Sequence, residues 1–207
     1  MTLDLWLTFV AASTALLLIP GPTVLLVLSY ALSKGRSVAL ASAAGVAVGD
    51  LVAMTASLLG LGALVLASAT AFTILKWIGA VYLVWLGIKL IRSAPGKGLA
   101  PSRDVTSRGV FSHAAAVTAL NPKSIAFFIA FVPQFIRSDV ALLPQFATLI
   151  ATFVALAALN ALAYALAADR LRRLIARPGI ITWITRAGGG ALITMGLLTA
   201  TLRRSTA

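Results

Sequence analysis

Two charged residues stand inside long apolar stretches of the sequence, where either could do chemistry. Asp50 follows Gly45 and Gly49 in a run of small residues, and Lys123 ends the tripeptide Asn121-Pro122-Lys123. A carboxylate in such a place can exchange a proton or bind an ammonium group, and a lysine can bind a carboxylate or pair with Asp50. Structural roles fit them too: an ion pair or a satisfied hydrogen bond for Asp50, and a side chain extended toward solvent for Lys123.

Two proline motifs interrupt the same kind of stretch. Pro20-Gly21-Pro22 removes backbone donors and clashes with the preceding turn, which predicts a broken helix with free backbone groups, or at least a kink. Asn121 is a good N-cap, and the amides that begin the helix after Pro122 attract an anion such as a carboxylate. Asn160 and Tyr164, one helical turn apart, are further candidates for lining the same cavity.

The elements that carry these residues must be solvated by lipid. The 207 residues are 60% hydrophobic and only 11% charged, with a mean hydropathy of +1.02, whereas a soluble domain is about 25% charged. A membrane-spanning helix needs about 20 apolar residues. Six stretches meet that length: 5–32, 38–66, 70–91, 112–136, 141–168 and 179–202.

The positive charge orients these spans. The chain has 17 Lys and Arg residues against five acidic residues, all Asp, for a net charge of +12. Basic residues are retained in cytoplasmic loops, and most of them fall in the loops after spans one, three and five: Lys34, Arg36, Lys89, Arg92, Lys97, Arg103, Arg108, Arg170, Arg172, Arg173 and Arg177. This pattern predicts that both termini are periplasmic, and it explains the charge without a nucleic-acid partner.

Several kinds of site are excluded or disfavoured by composition. The chain has no Cys, no Glu and a single His, so thiol chemistry is excluded and a transition-metal site lacks its preferred ligands. A metal-ion exporter and an integral membrane enzyme remain as alternatives, but the first would need more oxygen or nitrogen ligands and the second a base at membrane depth. We expect no cofactor and no catalytic residue.

The two halves of the chain resemble one another. Pro20–Pro22 in the first span corresponds to Asn121–Lys123 in the fourth, and Gly79 and Gly87 correspond to Gly188 and Gly196. Three spans per half place the second half upside down, as in many secondary transporters. We therefore predict an all-α integral membrane protein with six transmembrane helices, arranged as two inverted three-helix repeats with helices 1 and 4 broken. It forms one domain: repeat 1 over about 1–93, a cytoplasmic loop over about 94–110, and repeat 2 over about 111–207.

Together these motifs resemble the LysE/RhtB amino-acid exporter family. The resemblance rests on Pro20-Gly21-Pro22, Gly49-Asp50, the run KWIGAVYLVWLG at 76–87, Asn121-Pro122-Lys123 with Phe127-Phe128, and Pro133-Gln134-Phe135. It implies a multi-pass carrier of the bacterial inner membrane that exports amino acids or their derivatives, driven by the proton-motive force.

From this resemblance we expect a small-molecule substrate, protons and lipid as partners, and alternating access around a midplane site. The expected site comprises Pro20, Gly21, Pro22, Asp50, Asn121, Pro122, Lys123, Asn160 and Tyr164. A homo-oligomer is compatible with the sequence, and no residue selects one amino acid among those that the family carries.

Overall fold

The computed structural model describes residues 1–19, 21–34, 38–67, 69–92, 106–137, 140–175 and 178–201. Pro20 and most of the loop at about 94–110 lie outside the described residues. The described part is helical and contains no strand. Its helices are α1 (Leu3–Leu18), α2 (Pro22–Lys34), α3 (Ala39–Ala67), α4 (Ala69–Arg92), α5 (Ser107–Ala119), α6 (Pro122–Ala130), α7 (Leu142–Ile175) and α8 (Pro178–Thr201), with a short 3-10 helix at Val132–Phe135 after α6.

The two proline motifs separate helices, as the sequence predicts. The axes of α1 and α2 differ by 56°, and the axis of α5 differs by 43° from that of the segment that begins with α6. By length and composition, two helices can cross a membrane among the described residues: α3 over Ala39–Gly60 and α7 over Leu142–Ala168. The number rises to four if each bent pair is one span. The α4 and α8 helices are 24 residues long each, and the six-span arrangement remains a prediction.

Close backbone contacts fix the relative directions of several helices. Gly45 and Gly49 of α3 lie against α5, where a Cβ added to Gly49 would be 2.6 Å from the carbonyl oxygen of Ala115 and one added to Gly45 would meet the carbonyl oxygen of Phe111. Moving along the contact from Gly45 to Gly49 in α3 also moves from Phe111 to Ala115 in α5. The two helices therefore run parallel. Small residues allow this approach because they let two helix backbones touch.

The contact between α4 and α8 has the opposite sense. A Cβ added to Gly87 would lie 2.5 Å from the carbonyl oxygen of Gly189, and one added to Gly196 would lie 2.8 Å from that of Ala80. Residue numbers rise along α4 as they fall along α8, so these two helices are antiparallel.

The core and the surface are both apolar. Among the fully buried side chains are Phe9, Leu16, Met54, Phe127 and Phe153. Large apolar side chains are also widely exposed: Leu40, Leu120, Leu143 and Trp183 each leave more than 70% of their surface accessible. An outer surface of this kind suits a lipid environment, because a soluble protein rarely exposes contiguous apolar area on this scale.

Candidate functional site

The end of α1 presents backbone carbonyls to side chains from the second half of the chain. The last four carbonyls of a helix have no partner within it, and within a bilayer an unsatisfied backbone group costs several kcal/mol. Here each of the four consecutive carbonyls from Leu16 to Ile19 accepts a side-chain hydrogen bond. The donors are Lys123 Nζ to Leu16 O (3.0 Å) and Ile19 O (2.8 Å), Asn160 Nδ2 to Leu17 O (3.2 Å), and Tyr164 hydroxyl to Leu18 O (3.2 Å).

Lys123 is therefore held inside the protein. Lys123 is only 8% exposed, and its Nζ donates hydrogen bonds to two carbonyls at the end of α1. It does not extend toward solvent. Gly21 lies beside this side chain, since a Cβ added there would be 3.4 Å from Lys123 Cε and Nζ, an ordinary van der Waals contact.

The second break is closed by its own residues. Asn121 Oδ1 accepts a hydrogen bond of 3.1 Å from the backbone N–H of Lys123, so Asn121 is the N-cap of α6, with Pro122 at the first helical position. Proline suits that position because its missing N–H would have had no partner there. The other end of the Asn121 amide donates to Thr23 Oγ1 at 3.1 Å, and the hydroxyls of Thr23 and Thr118 lie 3.3 Å apart. The start of α2 is thus tied to both α5 and the second break.

A small cavity of about 20 Å³ lies between these elements, room for about one water molecule. It brings together five of the predicted site residues with Thr23 and Ser124. The full lining is Leu17, Thr23, Val24, Val27, Val46, Asp50, Asn121, Lys123, Ser124, Ala157, Asn160, Ala161 and Tyr164.

Asp50 reaches the cavity from α3. It is 2% exposed, and its Oδ1 is buried without a hydrogen-bond partner among the described residues. Gly49, directly before it, packs on the backbone of α5, so the position of this carboxylate depends on the close approach of α3 and α5. A buried acceptor without a partner is costly unless a ligand, water or proton occupies it.

Asp50 and Lys123 give the cavity one acidic and one basic group, and the other lining residues are neutral. A ligand that carries both an ammonium and a carboxylate group would satisfy both. Within the described part of the chain, no three His, Cys, Asp or Glu side chains come close enough to share a metal ion.

The remaining predicted residues lie beside the cavity or outside the description. Pro22 and Pro122 are exposed first residues of α2 and α6, and they shape the breaks without lining the cavity. Pro20 lies outside the described residues. Sequence reasoning missed Thr23, Thr118 and Ser124. Their one local signal is a hydroxyl within three residues of a proline break.

Comparisons with known proteins give the family of the chain. A family model described as LysE type translocator matches residues 14–203. The chain is similar to an uncharacterized membrane protein of Vibrio cholerae, with 35% identity over 204 residues that cover 98% of this chain and 100% of the relative. It is also similar to a homoserine/homoserine lactone efflux protein of Salmonella typhimurium, with 34% identity over 206 residues, 99% of this chain and 100% of the relative.

A third similarity covers part of the chain. A leucine efflux protein of Enterobacter sp. is 33% identical over 141 residues, 65% of this chain and 64% of the relative. No solved structure matches this chain.

Proposed function

Because the chain belongs to the LysE type translocator family, we propose that it is a secondary exporter of amino acids or amino-acid derivatives that works by alternating access. Relatives along its whole length or most of it are named as efflux proteins for homoserine, homoserine lactone and leucine. The observation that carries the proposal is the cavity that joins Asp50 to Lys123 between two broken helices.

The two charges are suited to the two ends of an amino acid. Asp50 Oδ1 has no partner among the described residues and would accept the substrate's ammonium group. The carboxylate would bind at the start of α6, where Lys123 adds a positive charge to the helix N-terminus. Asn160 and Tyr164 would then exchange their carbonyl partners on α1 for contacts with substrate.

The rest of the lining favours an uncharged side chain. Apart from the polar residues, it consists of Leu17, three valines and two alanines. A basic or acidic substrate side chain would be buried there without a counter-charge, which is unfavourable in an apolar site. A neutral aliphatic or hydroxylated side chain meets no such penalty.

The described conformation is closed around this site. A cavity that holds about one water molecule is too small for an amino acid, so α2, α3, α6 and α7 must separate before substrate enters. Such a change is expected of a carrier that exposes its site to one side of the membrane at a time.

The packing of α4 on α8 supports the inverted repeat. Adding 109 to Gly87 gives Gly196, the correspondence that the sequence predicts, and adding 109 to Ala80 gives Gly189. Replacing each α4 residue by the one 109 positions later, and each α8 residue by the one 109 positions earlier, turns the Gly87–Gly189 contact into the Gly196–Ala80 contact. The same replacement turns the contact of Gly87 with Ile193 into the contact of Gly196 with Val84. Because the helices are antiparallel, the operation that relates them is a two-fold axis across them, as an inverted repeat requires.

The orientation follows from the charge distribution. Six alternating spans agree with the parallel contact of α3 with α5 and the antiparallel contact of α4 with α8. For a protein of the bacterial inner membrane, the positive-inside rule then predicts that the basic loops are cytoplasmic and that both termini are periplasmic. Coupling to protons is part of the proposal, and Asp50 is the residue we assign to it or to the substrate ammonium.

The test is efflux from proteoliposomes loaded with a panel of radiolabelled amino acids, with and without an imposed pH gradient. We expect export of one or more neutral amino acids. The rate of efflux should be higher when the imposed pH gradient supplies protons for exchange. Asp50→Asn keeps the shape of the side chain and removes its charge, so efflux should fall to background while the protein still inserts.

A matched control is Asp4→Asn, which changes an exposed acid in the first turn of α1 and should leave efflux unchanged. Full efflux by Asp50→Asn would remove Asp50 from the mechanism. Export of no amino acid in the panel, with resistance of cells to a divalent metal instead, would contradict the amino-acid proposal.

A further inference from the structure

The cavity is closed at both ends by side chains from the two halves of the chain, and the two closures differ in thickness. One closure lies toward the start of α1 and the start of α7. The other lies toward the end of α2 and the start of α5. Several aromatic residues of these two closures do not line the cavity.

The first closure is a cluster of six phenylalanines, which we call the phenylalanine plug. It comprises Phe9 of α1, Phe127, Phe128, Phe131 and Phe135 from α6 through the 3-10 helix, and Phe153 of α7, all buried. Lys123, Phe127, Phe131 and Phe135 are spaced four residues apart, so the plug continues outward from the cavity. The ring centroids of the contacting pairs lie 4.8–6.1 Å apart.

Within the described residues, which leave out 35–37 and 93–105, the second closure is thinner. Thr23 and Val27 line the cavity, and Tyr30 lies on the same face of α2, about 10 Å beyond Thr23. The Tyr30 hydroxyl shares a hydrogen bond of 2.6 Å with His113 Nδ1 of α5, and the two rings meet edge to face. Tyr30 is buried with Val38 and Val110 in a cluster separate from the main core, whereas His113 is exposed.

We propose that Tyr30 and His113 form the gate through which substrate enters the cavity from the cytoplasm. The proposal rests on the function and orientation given above, because the end of α2 and the start of α5 adjoin basic loops. Opening at this end separates the Tyr30–His113 ring pair, the hydroxyl contact between Thr23 and Thr118, and aliphatic contacts between α2 and α5. Opening at the other end must separate the three ring contacts that Phe127, Phe128 and Phe135 make with Phe9 of α1 and Phe153 of α7, so the phenylalanine plug keeps the cavity closed to the periplasm while the thinner gate opens.

The natural absence of cysteine makes the gate directly testable. Val27→Cys places a single thiol in the cavity, one turn inside Tyr30. In inside-out vesicles, a membrane-impermeant maleimide should label this thiol slowly. Adding Tyr30→Phe removes the hydrogen bond and keeps the ring, so we expect labelling to accelerate roughly 2- to 12-fold, the range that the net strength of one hydrogen bond implies.

A matched control acts at the opposite end. Thr152→Val removes the 3.0 Å hydrogen bond that Trp6 Nε1 donates to Thr152 Oγ1 between α1 and α7, and it should leave labelling from the cytoplasmic side unchanged. An unchanged rate with Tyr30→Phe, or an equal acceleration with Thr152→Val, would overturn the gate. So would acceleration of labelling only from the periplasmic side, in right-side-out vesicles.

A second experiment uses transport itself. Tyr30→Cys combined with His113→Cys, joined by a short reducible thiol cross-linker, should stop efflux, and reduction should restore it. Undiminished efflux by the cross-linked protein would contradict the gate. The labelling result does not depend on the solute, so a chain that labels as expected but exports no amino acid would refute the proposed function and retain the gate.

Discussion

The two helix breaks, which the sequence predicts to correspond in the two halves, satisfy their backbones in different ways. At the second break, Asn121 caps α6 with its own side chain, and the N–H groups of Leu120 and Asn121 return to carbonyls of α5. At the first break, the N–H of Ile19 returns to Leu16 O, and side chains from α6 and α7 bind the carbonyls from Leu16 to Ile19. The start of α6 is capped from within its own segment, whereas the carbonyls at the end of α1 are bound by side chains from the other half of the chain.

If the two halves are repeats, as we propose, their two breaks have different roles. One break contributes acceptors and the other contributes the donor Lys123, so the two halves are joined at the cavity by hydrogen bonds rather than by packing alone. Any motion that rocks one half against the other must exchange these bonds for new ones. A substrate carboxylate could compete for Lys123 and free it from α1, which would link binding to that motion.

The largest effect should come from removing the donor that joins the breaks. Lys123→Met keeps the length of the side chain but leaves the carbonyls of Leu16 and Ile19 without this partner. The loss of a charge-assisted hydrogen bond costs about 1.5–3 kcal/mol, so we expect efflux to fall by roughly 10- to 150-fold and the apparent melting temperature in detergent to decrease.

Lys89→Met is the matched control for that variant. Lys89 is exposed on α4, with its Nζ 5.0 Å from the centre of the Trp85 ring. An exposed cation–π contact is worth about 0.5–1 kcal/mol, so the control should retain most of its efflux. Similar losses in the two variants would mean that Lys123 contributes only general charge.

A pair of identical substitutions compares the two breaks directly. Asn121→Asp keeps the oxygen that caps α6, and Asp caps about as well as Asn. It also removes the Nδ2 donor to Thr23 Oγ1, but that hydroxyl can turn and donate to the new carboxylate, so the free energy of unfolding should fall by less than in Asn160→Asp. Asn160→Asp replaces the donor to Leu17 O by an acceptor, which should cost about 1–3 kcal/mol. Thermal denaturation of both variants in the same detergent measures the difference, and equal losses would contradict the assignment of self-capped and dependent breaks.

The smallest effect should come from Tyr164→Phe. The hydroxyl makes one 3.2 Å bond to Leu18 O, and this bond is exposed, so we expect a loss of about 0.5 kcal/mol in stability and a small decrease in efflux. If efflux instead falls as far as with Lys123→Met, the Tyr164 hydroxyl binds substrate directly rather than capping α1.

The sequence was sufficient for the features that depend on local chemistry. Proline motifs break helices wherever they occur, so the α1–α2 and α5–α6 boundaries were predictable from Pro20–Pro22 and Asn121–Lys123. Asp50 and Lys123 were noticeable because charge is rare and costly inside apolar stretches. The gathering of Asn160 and Tyr164 with them in one cavity follows the predicted pattern, while the roles of all these residues remain predictions.

Other features depend on residues far apart in the chain, and only the tertiary structure decided them. Lys123 meets Leu16 across 107 positions, and Tyr30 meets His113 across 83. The neighbourhood of His113 in the sequence gives no sign of this pairing. Local patterns report the cost of placing a residue in lipid, whereas a hydrogen-bond partner is selected by how the helices pack. The sequence therefore determined which groups need partners, and the packing of the two halves determined which partners they have.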